Sequence, residues 1–206
     1  MYIAIAGNIG AGKSTLTKLL SERYLLSPVY EAVDENPYLA DFYKDMPRYA
    51  FHSQMFFLSK RLEQHLNQVN LGERIIQDRT IYEDAAIFAR NLYLDSVMSE
   101  RDYQTYCGMY KAIAQALRPP DLLIYLKASV PTLQARITQR GRDFEKSISG
   151  DYLAKLNTLY ESWTNSYTLS DTVTVDMNQK DFLDNPDDIE SLISDLEQRG
   201  LTPPVL

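Results

Sequence analysis

One eight-residue motif constrains this chain more than any other feature: Gly7-Asn8-Ile9-Gly10-Ala11-Gly12-Lys13-Ser14. It fits the P-loop pattern G-x-x-x-x-G-K-[ST], in which successive backbone N–H groups turn inward around phosphate oxygens. An apolar run over 2–6 precedes the motif and a helical pattern over 13–23 follows it, which is the context that a P-loop requires. Lys13 can then reach the β- and γ-phosphates of a nucleoside triphosphate, and the Ser14 hydroxyl can ligate Mg²⁺. The competing interpretation is a glycine-rich turn that binds nothing. We predict that the phosphate-binding residues are Gly7, Asn8, Ile9, Gly10, Ala11, Gly12, Lys13, Ser14 and Thr15.

Beyond the motif, short apolar runs alternate with longer helical patterns, which is typical of a parallel sheet with crossover helices. The patterns predict strands over 2–6, 29–31, 74–78, 122–126 and 173–175. They predict helices over 13–23, from Pro37 onward, over 47–70, 83–92 and 101–117, and over 187–198. The predicted fold class is therefore α/β, a P-loop NTPase fold with a central parallel five-stranded sheet flanked by helices. With no repeat, low-complexity tract or linker, we expect residues 1–206 to form one domain.

Composition narrows the class of protein further. With 45% hydrophobic residues the chain can build an ordinary core, and its 21 basic against 28 acidic residues, a net charge of −7, argue against a nucleic-acid partner. A single cysteine, Cys107, excludes an intrachain disulfide framework and indicates a reducing compartment. No apolar run approaches the ~20 residues that cross a bilayer, so we expect no membrane partner and a cytoplasmic location.

Charged residues stand at the predicted carboxyl ends of two strands, where a parallel sheet faces its ligand. Asp78 and Arg79 follow the third strand: Asp78 could hold Mg²⁺, and Arg79 could span the acceptor oxygen and the transferring phosphate. Alternatively, the two cap the next helix. Glu31 ends the second predicted strand and could accept the proton of an acceptor hydroxyl, or it could be a solvated strand-end carboxylate.

One local concentration of positive charge stands out against the acidic total. Arg136 and Arg140 lie one helical turn apart, Gly141 ends the helix, and Arg142 and Lys146 follow. We interpret 137–150 as an Arg-rich lid that closes over phosphates, in preference to a solvated helix face. Because the base-reading N-K-x-D element of guanine-nucleotide switches is absent and the chain is short for a motor, a small-molecule kinase is the economical reading.

These residues resemble the deoxyribonucleoside kinase family, particularly the bacterial deoxyadenosine/deoxycytidine and deoxyguanosine kinases. The resemblance spans nearly the whole chain. It is carried by the P-loop, Glu31 with the run 34–39, Tyr43 with the run 48–54, the run 77–84, and Arg136 with the run 140–142.

The resemblance implies a role for each matching position. Glu31 would be the general base at the 5′-hydroxyl, with Arg79 beside it and Lys13 on the phosphates. Asp78 stands where many relatives carry Glu, which keeps the carboxylate but shortens its reach. The positions implied to bind the nucleoside are Tyr43 and Glu145 at the 3′-hydroxyl, Gln54 at the base edge, Arg61 and Asp84 as a charged pair near the base, and Phe88 stacked on the base, unless Phe88 is simply part of the core.

The resemblance further implies ATP as phosphate donor, Mg²⁺ as cofactor, and a homodimer. The tyrosine-bearing helix over 101–117 is a candidate dimer surface, although core packing is the simpler interpretation of its tyrosines. Gln54 offers both a donor and an acceptor, so it can match adenine or cytosine. Deoxyadenosine is the first choice, deoxycytidine is possible, and a deoxyguanosine kinase is the alternative. From other classes, a nucleoside monophosphate kinase and a non-catalytic ATP-binding regulator stay open.

Overall fold

The computed structural model describes residues 1–31 and 35–201. Its centre is a sheet of five parallel strands in the order β2-β3-β1-β4-β5. The strands are β1 (Tyr2–Gly7), β2 (Ser27–Val29), β3 (Ile75–Asp78), β4 (Leu122–Lys127) and β5 (Asp171–Asp176). The predicted five-stranded parallel sheet and α/β class are therefore confirmed.

Nine α-helices are found in the described ranges, and three shorter turns of other helix types accompany them. The α-helices are α1 (Lys13–Tyr24), α2 (Leu39–Lys44), α3 (Met46–Gln64), α4 (Ile81–Glu83), α5 (Arg90–Leu94), α6 (Glu100–Ala114), α7 (Val130–Arg140), α8 (Gly150–Asn165) and α9 (Pro186–Gln198). One π-helical turn, His65–Val69, extends α3, another, Asp84–Ala89, joins α4 to α5, and a 3₁₀ turn, Asp143–Glu145, follows α7. No helix of the described chain is long and apolar enough to span a bilayer.

The central strand is buried on both faces, which explains its continuous apolar sequence. Because successive side chains of a strand point to opposite faces, Ile3 and Ile5 join the core with α1, α7 and α9. Tyr2, Ala4 and Ala6 join a second core on the other face, with the π-helical turn Asp84–Ala89 and α8. The two cores hold the carboxyl end of β1, and therefore the P-loop, between two layers of helices.

Two predicted elements differ from the observed ones. The second strand was expected over 29–31 but spans Ser27–Val29, so Glu31 lies two residues beyond the strand. Pro28 fits there because β2 is an edge strand and needs ladder donors on one side only. The helix α8 was not predicted at all, although Ser149 caps its start and Leu153, Leu156 and Tyr160 form its buried stripe. Asp34 of the family-like run 34–39 lies outside the described residues.

Candidate active site

The P-loop connects β1 to α1 and has the backbone that phosphate binding needs. Gly10 and Gly12 adopt φ values of 82° and 98°, which favour glycine, and a Cβ on Gly10 would lie 2.9 Å from the Leu133 carbonyl oxygen. No side chain caps the N-terminus of α1, which begins at Lys13. The free N–H groups and the positive end of the helix dipole therefore face the loop, where an anion would be stabilised.

Lys13 is buried, and its ammonium donates to the Asn8 carbonyl at 2.9 Å. Burial, followed by the repulsion of Arg79, lowers the pKa of Lys13 to about 8. The Asn8 side chain connects the loop to α8: its Nδ2 donates to the Leu153 carbonyl and to Asn157 Oδ1, at 3.0 and 2.8 Å, while its Oδ1 accepts from the Ile9 N–H at 2.7 Å. Asn8 thus anchors the P-loop to α8, and its predicted phosphate contact would have to come from the backbone.

Glu31 lies between two guanidinium groups and is not a solvated strand-end carboxylate. Arg79 Nε donates to its Oε2 at 3.1 Å, and Arg61 Nη2 donates to its Oε1 at 2.7 Å. Burial alone would raise the pKa of Glu31, but Arg79, Arg61 and Lys13 outweigh it and lower the pKa to about 2. Glu31 is therefore ionised at neutral pH and exposes 16% of its side chain toward the cavity.

Arg61 also holds Asp84, as the resemblance implied. Its Nε donates to Asp84 Oδ2, and the two side chains expose only 3% each. Burial raises the pKa of Asp84 to about 6, against the attraction of Arg61. One turn after Asp84, the Phe88 ring lies 4.3 Å beneath the Arg79 guanidinium, in the range of a cation–π contact. Phe88 is thus both a core residue and a wall of the cavity.

The end of β3 carries Asp78 and Arg79 in different conformations. Ser14 Oγ donates to Asp78 Oδ2, whereas Asp78 Oδ1 is buried without a partner among the described residues. Arg79 adopts φ 65°, which is uncommon for a residue with a Cβ. The next helix is capped by Thr80 and Glu83 in a reciprocal capping box, so the alternative that Asp78 and Arg79 cap it is wrong.

The predicted lid consists of the end of α7, the turn Asp143–Glu145 and the start of α8. Arg140 grips Glu145 through two nitrogens at 3.0 and 2.7 Å, and Arg142 Nη1 lies 3.6 Å from the same carboxylate. Arg136 donates instead to the carbonyls of Ala11, Met177 and Lys180. Lys146 is exposed and pairs with Asp143, so it takes no part in the site.

Most of these groups meet in one cavity of about 680 Å³. Gln54 enters it from α3, with its Oε1 buried and without a partner in the described chain, and Tyr43 enters it from α2. Of the predicted site residues, the cavity is lined by Ile9, Gly10, Gly12, Lys13, Ser14, Thr15, Glu31, Tyr43, Gln54, Arg61, Asp78, Arg79, Asp84, Phe88, Arg136, Arg140, Arg142 and Glu145. Gly7, Asn8 and Ala11 do not line it.

The sequence reasoning missed several neighbours of these residues. Tyr152 and Phe182 line the cavity, and Glu83 and Tyr160 lie directly behind it. Tyr152 and Tyr160 lie on the helix that was not predicted. Glu83 could have been found, because Thr80 and Glu83 have the spacing of a capping box before an apolar run. Among the described residues, no group of three or more His, Cys, Asp or Glu side chains could hold a metal ion by itself.

Comparisons with known proteins identify the family of the chain. A family model described as deoxynucleoside kinase matches residues 3–199. The deoxyadenosine/deoxycytidine kinase of Bacillus subtilis is 36% identical over 196 residues, covering 94% of this chain and 90% of that protein. The deoxyguanosine kinase of the same organism is 34% identical over 205 residues, covering 96% of each. A solved structure of deoxyadenosine kinase from M. mycoides with bound dATP superposes with a TM-score of 0.83 at 35% identity, covering 96% of this chain and 100% of that one.

Proposed function

Since the chain belongs to the deoxynucleoside kinase family, we propose that its cavity transfers the γ-phosphoryl group of ATP to the 5′-hydroxyl of a deoxyribonucleoside, a step of nucleotide salvage. The observation that carries this proposal is that the P-loop and the Glu31–Arg79 pair line the same cavity. A volume of about 680 Å³ is within the range of ligand-binding pockets. The reaction needs both substrates side by side, and this cavity offers a group for each.

At the acceptor, Glu31 would take the proton of the 5′-hydroxyl. With a pKa of about 2 it is a weak base, which suits a loose transition state in which positioning matters more than basicity. As the 5′-oxygen bonds to the γ-phosphorus, the bond from that phosphorus to the β,γ-bridging oxygen breaks, and ADP leaves with the electron pair. Arg79, held at 3.1 Å by Glu31, would balance the charge on the transferring oxygens.

At the donor, the backbone N–H groups of the P-loop and Lys13 would hold the phosphates, and Arg140 and Arg142 would close over them and exclude water. Arg136 lies against the P-loop carbonyl of Ala11, which supports a role in fixing the loop. These side chains supply the local positive charge that an acidic chain needs to bind a polyanion. The lid is therefore proposed to act in catalysis and not merely as a solvated helix face.

We propose Mg²⁺ as the cofactor, held by Ser14 and Asp78. The unpartnered, buried Oδ1 of Asp78 beside the Ser14 hydroxyl supports this assignment, because Mg²⁺ in kinases takes few protein oxygens and completes its shell with phosphate and water. When bound, the ion neutralises phosphate charge. Ser14 and Asp78 would keep their oxygens oriented toward the triphosphate.

For the base, we propose deoxyadenosine first and deoxycytidine second. The free, buried Oε1 of Gln54 can accept from the amino group that adenine and cytosine share, while its amide nitrogen donates to the neighbouring ring nitrogen. Guanine presents a carbonyl in place of that amino group and needs the opposite arrangement. A deoxyguanosine kinase stays the alternative, since a deoxyguanosine kinase of Bacillus subtilis is nearly as similar to this chain.

A panel of all four deoxynucleosides with ATP and Mg²⁺ tests the function and the base together. We expect the highest kcat/KM for deoxyadenosine and, in the Gln54→Ala variant, a loss of about 10- to 100-fold for both deoxyadenosine and deoxycytidine. The exposed Gln198→Ala on α9 is the matched control and should change nothing. Phosphorylation of dAMP or dTMP alone would favour a nucleoside monophosphate kinase. Phosphorylation of neither the nucleosides nor the monophosphates would favour an ATP-binding regulator. Preference for deoxyguanosine would reverse the base assignment.

We further propose that the protein is a cytoplasmic homodimer whose interface includes α6. Tyr106 of this helix is fully buried within its own subunit and Tyr103 stacks on Tyr93, which supports core packing for the tyrosines. Met109 is 46% exposed on the same helix and is available to a second copy. Sedimentation velocity of the wild type and of Met109→Glu tests this: a dimer that dissociates in the variant supports α6, and a wild-type monomer contradicts it.

A further inference from the structure

Glu83 is a fully buried carboxylate to which the proposed reaction gives no role. Its Oε1 accepts from the Tyr160 hydroxyl at 2.8 Å and from the Gly7 N–H at 3.4 Å. Its Oε2 accepts from the Thr80 N–H at 2.8 Å and from the Thr80 hydroxyl at 3.3 Å. All four contacts donate to Glu83, and these hydrogen bonds act against burial, which raises the pKa of this carboxyl.

These donors belong to three elements that surround the cavity. Gly7 is the first residue of the P-loop, Thr80 follows Arg79 in the chain, and Tyr160 lies on α8 behind the cavity. The Tyr160 hydroxyl in turn accepts from Arg79 Nη1 at 3.5 Å. One carboxylate therefore connects the phosphate loop with the arginine that faces the acceptor.

The backbone of Arg79 shows why such a connection matters. Its φ of 65° is disfavoured for a residue with a Cβ, and such conformations persist only where the surroundings hold them. Hydrogen bonds fix both sides of the residue: its own N–H donates to the Ile5 carbonyl at 3.0 Å, and the next N–H, of Thr80, donates to Glu83. This conformation lets the side chain turn into the cavity, onto Phe88 and Glu31.

Helix capping alone does not explain the arrangement. A capping box needs only the Thr80 and Glu83 contacts and forms equally well at a solvated helix start. Burying a carboxylate completely is unfavourable unless its hydrogen bonds are satisfied, and here two of the donors, Gly7 and Tyr160, lie outside the box. We propose that Glu83 and Tyr160 form a positioning pair that holds the Arg79 guanidinium at a fixed place relative to the P-loop. The proposal rests on the role of Arg79 in the proposed function.

Two nearly isosteric variants test the pair, Glu83→Gln and Tyr160→Phe. Gln must place one amide N–H group against a donor, and Phe keeps the ring but removes the link to Arg79. We expect kcat with saturating ATP and deoxyadenosine to fall about 10- to 100-fold in Glu83→Gln and about 3- to 10-fold in Tyr160→Phe, with both KM values within threefold. The double variant should lose little more than Glu83→Gln alone, because the two residues act as one unit.

A helix cap that does not line the cavity gives the control. Ser99→Ala removes the N-cap hydrogen bond of α6 and should lower the Tm without changing kcat. If both variants keep kcat within twofold while the wild type is active, the positioning pair is wrong and the proposed function stands. If Glu83→Gln does not fold, Tyr160→Phe decides: a loss in kcat supports the pair and an unchanged kcat overturns it. A wild type that is inactive on every deoxynucleoside overturns the proposed function and this proposal together.

Discussion

The cavity has two ends whose charges are held in opposite ways. The proposed acceptor end consists of Glu31, Arg61, Arg79 and Asp84, and the proposed phosphate end consists of Lys13, Ser14, Arg136, Arg140 and Arg142. At the acceptor end two guanidinium groups meet two carboxylates, and Arg61 and Arg79 expose only 3% and 5% of their side chains. At the phosphate end, Arg140 and Arg142 expose 36% and 34% and share the single carboxylate of Glu145.

This difference matches the two substrates. An uncharged nucleoside brings no counter-ion, so the groups that receive it must be neutralised and hydrogen-bonded beforehand, within the protein. A triphosphate brings its own negative charge, so the groups proposed to hold it can stay partly exposed and in excess over the carboxylates around them until it arrives. The acceptor end is therefore built in advance, whereas the phosphate end is completed by its ligand.

The most direct test of this difference between the two ends removes only the proposed proton acceptor. Glu31→Gln should lower kcat about 1,000-fold, because the amide cannot take the proton of the 5′-hydroxyl and leaves Arg79 and Arg61 without their shared carboxylate. The KM for ATP should stay within threefold, because the hydrogen bonds of Glu31 in the described structure go to Arg61 and Arg79 and not to the P-loop. Steady-state kinetics with both substrates varied measures the two effects.

A nearby carboxylate serves as the control for that variant. Glu35 lies four residues further along, has a side chain that is 62% exposed, and pairs with Lys60 at 3.1 Å. Glu35→Gln should retain full activity. A loss of less than tenfold in Glu31→Gln would mean that another group takes the proton and that the acceptor end is misassigned.

A second comparison separates stability from catalysis. Arg61→Met leaves Asp84 and Glu31 buried without a shared cation and should lower the free energy of unfolding by about 3–5 kcal/mol. Arg142→Met removes a half-exposed arginine from the lid and should cost about 0–1 kcal/mol, yet lower kcat/KM for ATP about tenfold. Urea unfolding and kinetics on both proteins measure the pattern. Equal losses of stability would contradict the claim that only the acceptor end is built in advance.

The sequence alone indicated more of the proposed phosphate end than of the proposed acceptor end, because the first depends on local patterns and the second on long-range pairing. The P-loop is a contiguous motif, and Arg136, Arg140 and Arg142 form a charge cluster at the end of α7 and just beyond it, so local patterns are enough to propose the phosphate end. Glu31 and Arg79 are 48 residues apart, and their pairing depends on which strands are neighbours. Here the family resemblance supplied the roles, while the spacing alone left a solvated carboxylate open.

The contacts behind the site could not be predicted, because they join distant segments. Glu83 and Tyr160 are 77 residues apart, and Tyr160 lies on α8, whose apolar stripe is interrupted by polar residues and was not recognised as a helix. The second strand was also predicted two residues too far along the chain, which placed Glu31 at its end. Strand ends depend on pairing with β3 and not on local composition. Strand register and long-range pairing are therefore the features that could not be predicted from the sequence.

The mildest test uses pH to distinguish the two ends within one unmodified protein. Lys13 has a pKa of about 8 without nucleotide, so raising the pH above 8 removes the charge available to the triphosphate, and kcat/KM for ATP should fall about fivefold between pH 8 and 9. Glu31, with a pKa of about 2, keeps its charge over this range. Bound phosphates raise the pKa of Lys13 again, so kcat/KM for deoxyadenosine at saturating ATP should stay level.

Initial rates in overlapping buffers at constant ionic strength measure both profiles. Two profiles that fall together would show that the ends are not independent, and a flat ATP profile to pH 9.5 would show that Lys13 is already paired before the nucleotide binds.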